Sequence, residues 1–292
     1  LDHRFADSIT FTPVQNSGQS QMSVQVKYSD AGRVALDGLY GLPLEASDSR
    51  GRELKKICQT VLKSAKGLTD YEKILAFHDC IVLHCENLYS GTEGLEDNAY
   101  GALVLGQSSN IGYAEAMALL LTLAGMENEI LYAGQDPAIL QSGVYWVNRV
   151  KLDGAWYNVI PSADDPRNNL YPQHPRRGYL LVNDQVLSQG YIWEEDRYPA
   201  AAKADNWHRR SGLVVDSPEE LDRIVQKALR AKEEWITLWI EDFTLKGYPI
   251  DLQPYDDLIE SATVTLTNAS AQSARGDKPY QTELCIHIAY EQ

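Results

Sequence analysis

Cysteine is scarce in this chain, and positive charge is in deficit. Four cysteines, Cys58, Cys80, Cys85 and Cys285, are scattered over 292 residues. That is too sparse and irregular for a disulfide scaffold. Cys80 and Cys85 lie five residues apart in the helix-like run YEKILAFHDCIVLHC, where they face different directions and should not bridge each other. Lys and Arg number 26 against 41 Asp and Glu, for a formal net charge of −15. That balance argues against nucleic acid and anionic membrane surfaces as partners. No apolar run approaches the length of a membrane span. No signal-like apolar segment follows Leu1, as expected of a mature or trimmed form. What remains is an ordinary globular composition, 44% hydrophobic and 23% charged, long enough for one sizeable core and a smaller one.

Residues 9–12 and 23–28 alternate as strands do. Residues 51–66 carry Leu54, Ile57, Val61 and Leu62 at helical spacing. A second helix is expected from Thr69 or Asp70 to about Asn87. The apolar run Ala114–Ala124 is too continuous for a surface helix, so it should be buried on most sides. Asp153-Gly154 between two β-patterned runs is a two-residue hairpin signal. With that loop Leu152 opposes Ala155, Val147 opposes Ile160 and Tyr145 opposes Ser162, so Tyr145 and Ile160 share a sheet face. Residues 164–178 read as a loop and Tyr179–Val182 as a short strand. A boundary is expected within 196–212. Beyond it a strand (212–215), a helix starting at Ser217-Pro218, a strand (235–240), a helix (roughly 251–262) and strands at 264–267 and 283–290 suggest a small α/β sandwich. There is also an echo: residues 7–12 resemble 260–265, and 23–28 resemble 284–290, as in a partial repeat.

The segments 98–125 (NAYGALVLGQSSNIGYAEAMALLLTLAG) and 145–166 (YWVNRVKLDGAWYNVIPSADDP) carry a resemblance. Their frame is similar to the bacterial transglutaminase-like superfamily, which is papain-like in fold. There the pattern runs close to A-Y-G-A-L-V-x-G-x-x-x-C-x-G-Y-A-E-A, then H-A-W-N-x-V-K-L-D-G-x-W-Y-x-V-D and D-D-P. The match falls at Tyr100, Gly101, Leu103, Gly106, Gly112, Tyr113, Glu115, Asn148, Leu152, Gly154, Trp156, Tyr157 and Asp164-Asp165-Pro166. The resemblance covers roughly residues 68–199. The family's cysteine position holds Asn110, its histidine position Tyr145 and its aspartate position Ile160.

Thiol acyl transfer needs a thiolate, a base and a group that orients the base. An amide at 110 can cap a helix but cannot attack a carbonyl. A tyrosine that titrates near ~10 is a poor base at neutral pH, and isoleucine orients nothing by hydrogen bonding. Ser108 and Ser109 read as a polar turn, because no base can be placed beside them. His78, Cys80, His84 and Cys85 have the residue types of a metal site, but they point in several directions along one helix and read as structural. Asp164-Asp165 reads as turn chemistry.

The expectation is an α+β chain: a transglutaminase-like core, helix packed on antiparallel sheet, plus a C-terminal α/β sandwich. The divisions are 1–50 (N-terminal strands and linker), 51–205 (transglutaminase-like) and 206–292 (α/β sandwich). No catalytic residue, metal or cofactor is assigned. The degenerate positions Asn110, Tyr145 and Ile160, with Tyr113 and Trp146, are the candidate ligand contacts. The resemblance implies a secreted or cell-surface bacterial protein whose module binds protein, peptide or cell-wall glycan, or serves architecture. The competing expectation is a hydrolase or acyltransferase that uses another constellation.

Overall fold

The computed structural model describes residues 3–16, 19–88, 91–134, 144–165, 174–241, 259–267 and 281–290. The chain divides into two compact units, each discontinuous in sequence. Residues 1–132, 145–153 and 160–173 form the first, and 133–144, 154–159 and 174–292 the second.

The first unit opens with an antiparallel pair, β1 (Ala6–Asn16) and β2 (Gln19–Tyr28). Three helices follow: α1 (Asp30–Tyr40), α2 (Ser49–Ser64) and α3 (Asp70–His84). Thr69 caps α3 through a capping box with Glu72, in which each side chain satisfies a free backbone N–H. Two-residue strands β3 (Glu86–Asn87) and β4 (Gln107–Ser108) pair in parallel, which ends α3 at His84, short of Asn87. Next comes α4 (Asn110–Leu123), and then the neighbouring strands β5 (Asn128–Ala133) and β6 (Tyr145–Leu152). The short α5 (Pro161–Asp164) closes the unit.

Helix α4 is the centre of this unit. Every residue from Gly112 to Thr122 is buried, because α1, α3, α5 and β6 all pack on it. The continuous apolar run demanded such burial. Gly112 is required here: a Cβ would lie 1.9 Å from Ser108 Oγ and 2.6 Å from the Asn98 carbonyl oxygen. Asp153 (φ 51°) and Gly154 (φ 77°) then turn β6 into β7 (Ala155–Val159), the positive-φ pair that an Asp-Gly turn favours.

The second unit holds β7 and β8 (Leu180–Val182), paired antiparallel, with the short helices α6 (Asp184–Leu187) and α7 (Trp207–Arg210). Strand β9 (Val214–Val215), helix α8 (Pro218–Arg230), strand β10 (Trp235–Ile240) and the antiparallel pair β11 (Ile259–Thr267) and β12 (Thr282–Tyr290) complete it. The sheet order is β11-β12-β10-β9, with β10 parallel to β9 and antiparallel to β12.

The architecture is α+β, as expected, but several boundaries differ. Residues 1–50 are not strands plus linker. They include α1, whose Ala31, Val34 and Ala35 are buried and which packs on α2 and α4. Its short apolar pattern is interrupted by Gly32 and Gly38, both poor helix formers, which hid it. The second unit does not begin at 206, because it takes in residues 174–205 as well. Strand β7 ends at Val159, short of the expected pairings at Ile160 and Ser162, since Pro161 lacks an N–H and starts a helix instead. Residues 259–262 are strand, not helix, because they pair with the distant strand β12. The remainder of that expected helix, 251–258, lies outside the described residues, as does most of the expected 164–178 loop.

Candidate functional site

The site is the N-terminal end of α4 in the first unit. Ser109, not Asn110, is the N-cap: its backbone is extended (φ −88°, ψ −176°) and its Oγ accepts from the Ile111 N–H at 3.3 Å. Both the Oγ and N–H of Ser109 also donate to Asp97 Oδ1. Asn110 is therefore the first residue of the helix and its amide is free for other work.

That amide makes a two-point contact with the backbone of β6. Asn110 Nδ2 donates to the Trp146 carbonyl oxygen at 2.9 Å, and Trp146 N–H donates to Asn110 Oδ1 at 2.6 Å. Nδ2 also donates to Ser162 Oγ at 2.9 Å, and the Ser162 carbonyl accepts from Asn87 Nδ2 at 2.7 Å. Four elements, β3, α4, β6 and α5, are tied by this chain of amides and one hydroxyl. Asn110 and Ser162 are both buried.

Two further links hold α5 and the residue after it. His78 of α3 is fully buried, with Nε2 3.1 Å from Asp164 Oδ2 and Nδ1 3.0 Å from Asp79 Oδ1. Burial works to lower the affinity of the ring for a proton, but the hydrogen bonds to Asp164 and Asp79 outweigh it and its pKa is raised. Tyr113 OH donates to Asp165 Oδ2 at 2.5 Å and contacts the Cys85 carbonyl. Burial, then the neighbouring Cys85 and Asp165, push the Tyr113 phenol far up. Asp164-Asp165 is thus more than a turn, because both carboxylates anchor the helical core.

The five candidate contacts separate by burial. Tyr113 and Ile160 are fully buried and present nothing to a ligand; they are core residues. The continuity of α4 burial removes the first. The second is the residue preceding Pro161 at the mouth of α5, turned inward. Asn110 is buried and committed to Trp146 and Ser162. Tyr145 and Trp146 are partly exposed, and the Trp146 ring meets Tyr132 edge-on, centroids 5.3 Å apart at 85°. Asn148, a frame position of the resemblance, donates from Nδ2 to the Ala114 carbonyl at 2.8 Å, while its buried Oδ1 has no hydrogen-bond partner among the described residues.

No thiol is poised for attack. Burial pushes Cys58 and Cys85 up to about 12 and Cys285 up to about 11, and it also raises Cys80. Ser108 is buried, with its Oγ donating to the Glu96 carbonyl at 3.2 Å. Sequence reasoning passed over Ser162, Asp97 and the His78–Asp164 pair. The only available signal was the Asp-Asp-Pro run, which composition alone reads as a turn.

No protein-family model and no curated protein matches the chain. Among solved structures, it is similar to a candidate cysteine protease from Cytophaga hutchinsonii, at 14% identity over 53% of this chain and 62% of that one, TM-score 0.31. It is also similar to a TGase (11% identity, 71% and 52% covered, TM-score 0.33). A third is a candidate protease from Parabacteroides distasonis (12% identity, 98% and 63% covered, TM-score 0.34). The chain spans less than two thirds of the length of each. At such identities and TM-scores the chemistry has to be read from the residues themselves.

Proposed function

We propose that this chain is a non-catalytic transglutaminase-like module of a secreted or cell-surface bacterial protein, which binds a protein, peptide or cell-wall glycan or holds a larger architecture together. The observation that carries the reading is the Asn110 amide. At the position where the resembled family has its nucleophile, both ends of this side chain are bonded to the Trp146 backbone, and its donor end also to Ser162. A group held in that way is a structural tie, and none of its hydrogen-bond partners among the described residues is a base. The raised pKa values of all four cysteines support the same reading, since acyl transfer by a thiol requires a lowered one. Recognition falls to the partly exposed rings of Tyr145 and Trp146, the aromatic type that contacts peptides and sugars.

The test is turnover. Casein with an amine donor, and a peptide p-nitroanilide series, should show no conversion above buffer, and a thiol-directed active-site probe should label nothing near position 110. Turnover abolished by Asn110→Ala would overturn the proposal.

A further inference from the structure

Two antiparallel pairs of the chain, β1–β2 and β11–β12, are built to one plan. In the first, Ala6 pairs with Tyr28, Ser8 with Lys27, Ile9 with Val26 and Phe11 with Val24, with a register shift between Ala6 and Ser8. In the other, Ile259 pairs with Tyr290, Ser261 with Ala289, Ala262 with Ile288 and Val264 with Ile286, with a register shift between Ile259 and Ser261. The bulge falls on Asp7 in one and Glu260 in the other. The residues after it read Ser-Ile-Thr-Phe-Thr and Ser-Ala-Thr-Val-Thr. Alternating strands resemble one another by chance. A bulge at the same step, followed by the same register, is a much narrower coincidence, because a bulge is a specific local feature.

Their surroundings differ. On β12, Leu284, Ile286 and Ile288 are fully buried in a cluster with Leu221, Val225 and Leu229 of α8, and the outer edge of β12 pairs with β10. The equivalent positions on β2 are Met22, Val24 and Val26. With Ile9 and Phe11 opposite, they make one apolar face, on which Phe11 is 63% exposed, Met22 61% and Val24 46%. The other face carries Ser8, Thr10 and Thr12. The β1–β2 sheet has two strands, so among the described residues the outer edge of β2 has no partner strand. An apolar face beside an open edge is a docking surface.

We propose that β1–β2 is the closing hairpin of a further α/β unit like that of residues 213–290. In this reading its apolar face and the β2 edge receive a strand–helix–strand segment of the same polypeptide. That segment lies N-terminal to the hairpin, as β9, α8 and β10 lie N-terminal to β11–β12. The occupant adds a strand antiparallel to β2, as β10 does to β12, and lays an amphipathic helix over Met22, Val24 and Val26, as α8 does over Leu284, Ile286 and Ile288. A second hairpin stacked face to face would cover the apolar side but leave the strand edge open; the strand–helix–strand segment satisfies both.

The experiment uses the whole chain with a second copy of residues 206–258 fused before Leu1 as a surrogate occupant. Hydrogen exchange of the β2 amides not bonded to β1 should slow at least tenfold relative to the unfused chain, and dye binding to exposed apolar surface should fall. The same fusion with Leu221→Asp and Val225→Asp in the added copy should lose both effects. Unchanged β2 exchange in the intact fusion, or slowing confined to β12, would overturn the proposal. So would an unfused chain that sediments as a dimer and is made monomeric by Phe11→Asp with Val24→Asp, because the occupant would then be a second copy.

Discussion

Asn110 satisfies the Trp146 backbone as a neighbouring strand would, so its loss should cost structure. Asn110→Ala leaves the N–H and carbonyl of Trp146 without their partners, and should cost about 1–3 kcal/mol in urea unfolding. The three-residue restoration of the resembled family's triad, Asn110→Cys with Tyr145→His and Ile160→Asp, starts from that deficit. Ile160 is fully buried, and an unpaired carboxylate there costs several kcal/mol, on the order of 3–5. Ile160→Asp alone should lower the melting temperature clearly, and adding Tyr145→His should recover part of the loss. Equal melting of the two variants would show that positions 145 and 160 do not meet. Three positions, Asn110, Tyr145 and Ile160, were singled out by the resemblance, because the frame around them is dense. What Asn110 does there was not legible in the sequence. The capping preference of Asn suggested an N-cap, but Ser109 takes that place and releases the Asn110 amide to a strand 36 residues away. A partner that distant in sequence leaves no local pattern.

The elements around α4 are joined by a few polar links, and each gives an expected outcome. Ser109→Ala removes the cap of α4 and the hydroxyl contact to Asp97, and should destabilise by about 1 kcal/mol, measured by thermal or urea melts. The His78–Asp164 link between α3 and α5 should be pH-dependent. The folded-state pKa of His78 lies above its ordinary 6.5. Protonated His78 therefore contributes stability that is fully present below pH 6.5 and is lost as pH rises through the folded value. His78→Gln should cost more at about pH 5.5 than at about pH 9, and a cost independent of pH would mean that the ring stays neutral. Helix α4 and the Asp153-Gly154 turn were readable in advance, because an unbroken apolar run and a positive-φ dipeptide each state their structure locally. Helix α1 and the strand at 259–262 were not. The first is decided by packing against α2 and α4, and the second by pairing with β12 across the chain.

Over the whole molecule, the four thiols give a uniform expectation. Cys58, Cys85 and Cys285 are buried and Cys80 partly exposed, all with raised pKa values. A disulfide reagent at about pH 8 should modify Cys80 alone in the native chain, more slowly than a free thiol, and all four after denaturation. A second native thiol reacting faster than a free cysteine would contradict the placement. Length and composition allowed for more than one core, and contacts divide the chain into two units. Composition did not reveal how the chain is shared between the two units, because the boundary expected near 206 was read from local composition, whereas contacts assign residues 133–144 and 154–159 to the second unit too. The chain consequently passes from one unit to the other at 132/133, 144/145, 153/154, 159/160 and 173/174. During synthesis the first unit is not complete until residue 173 has left the ribosome, by which point stretches of the second have already emerged. A single proteolytic nick cannot release either unit whole, and truncation at residue 205 leaves part of the second unit behind without its sheet. The covalent path therefore laces the two units together through five crossings, so that neither can be cut from the gene as one continuous segment.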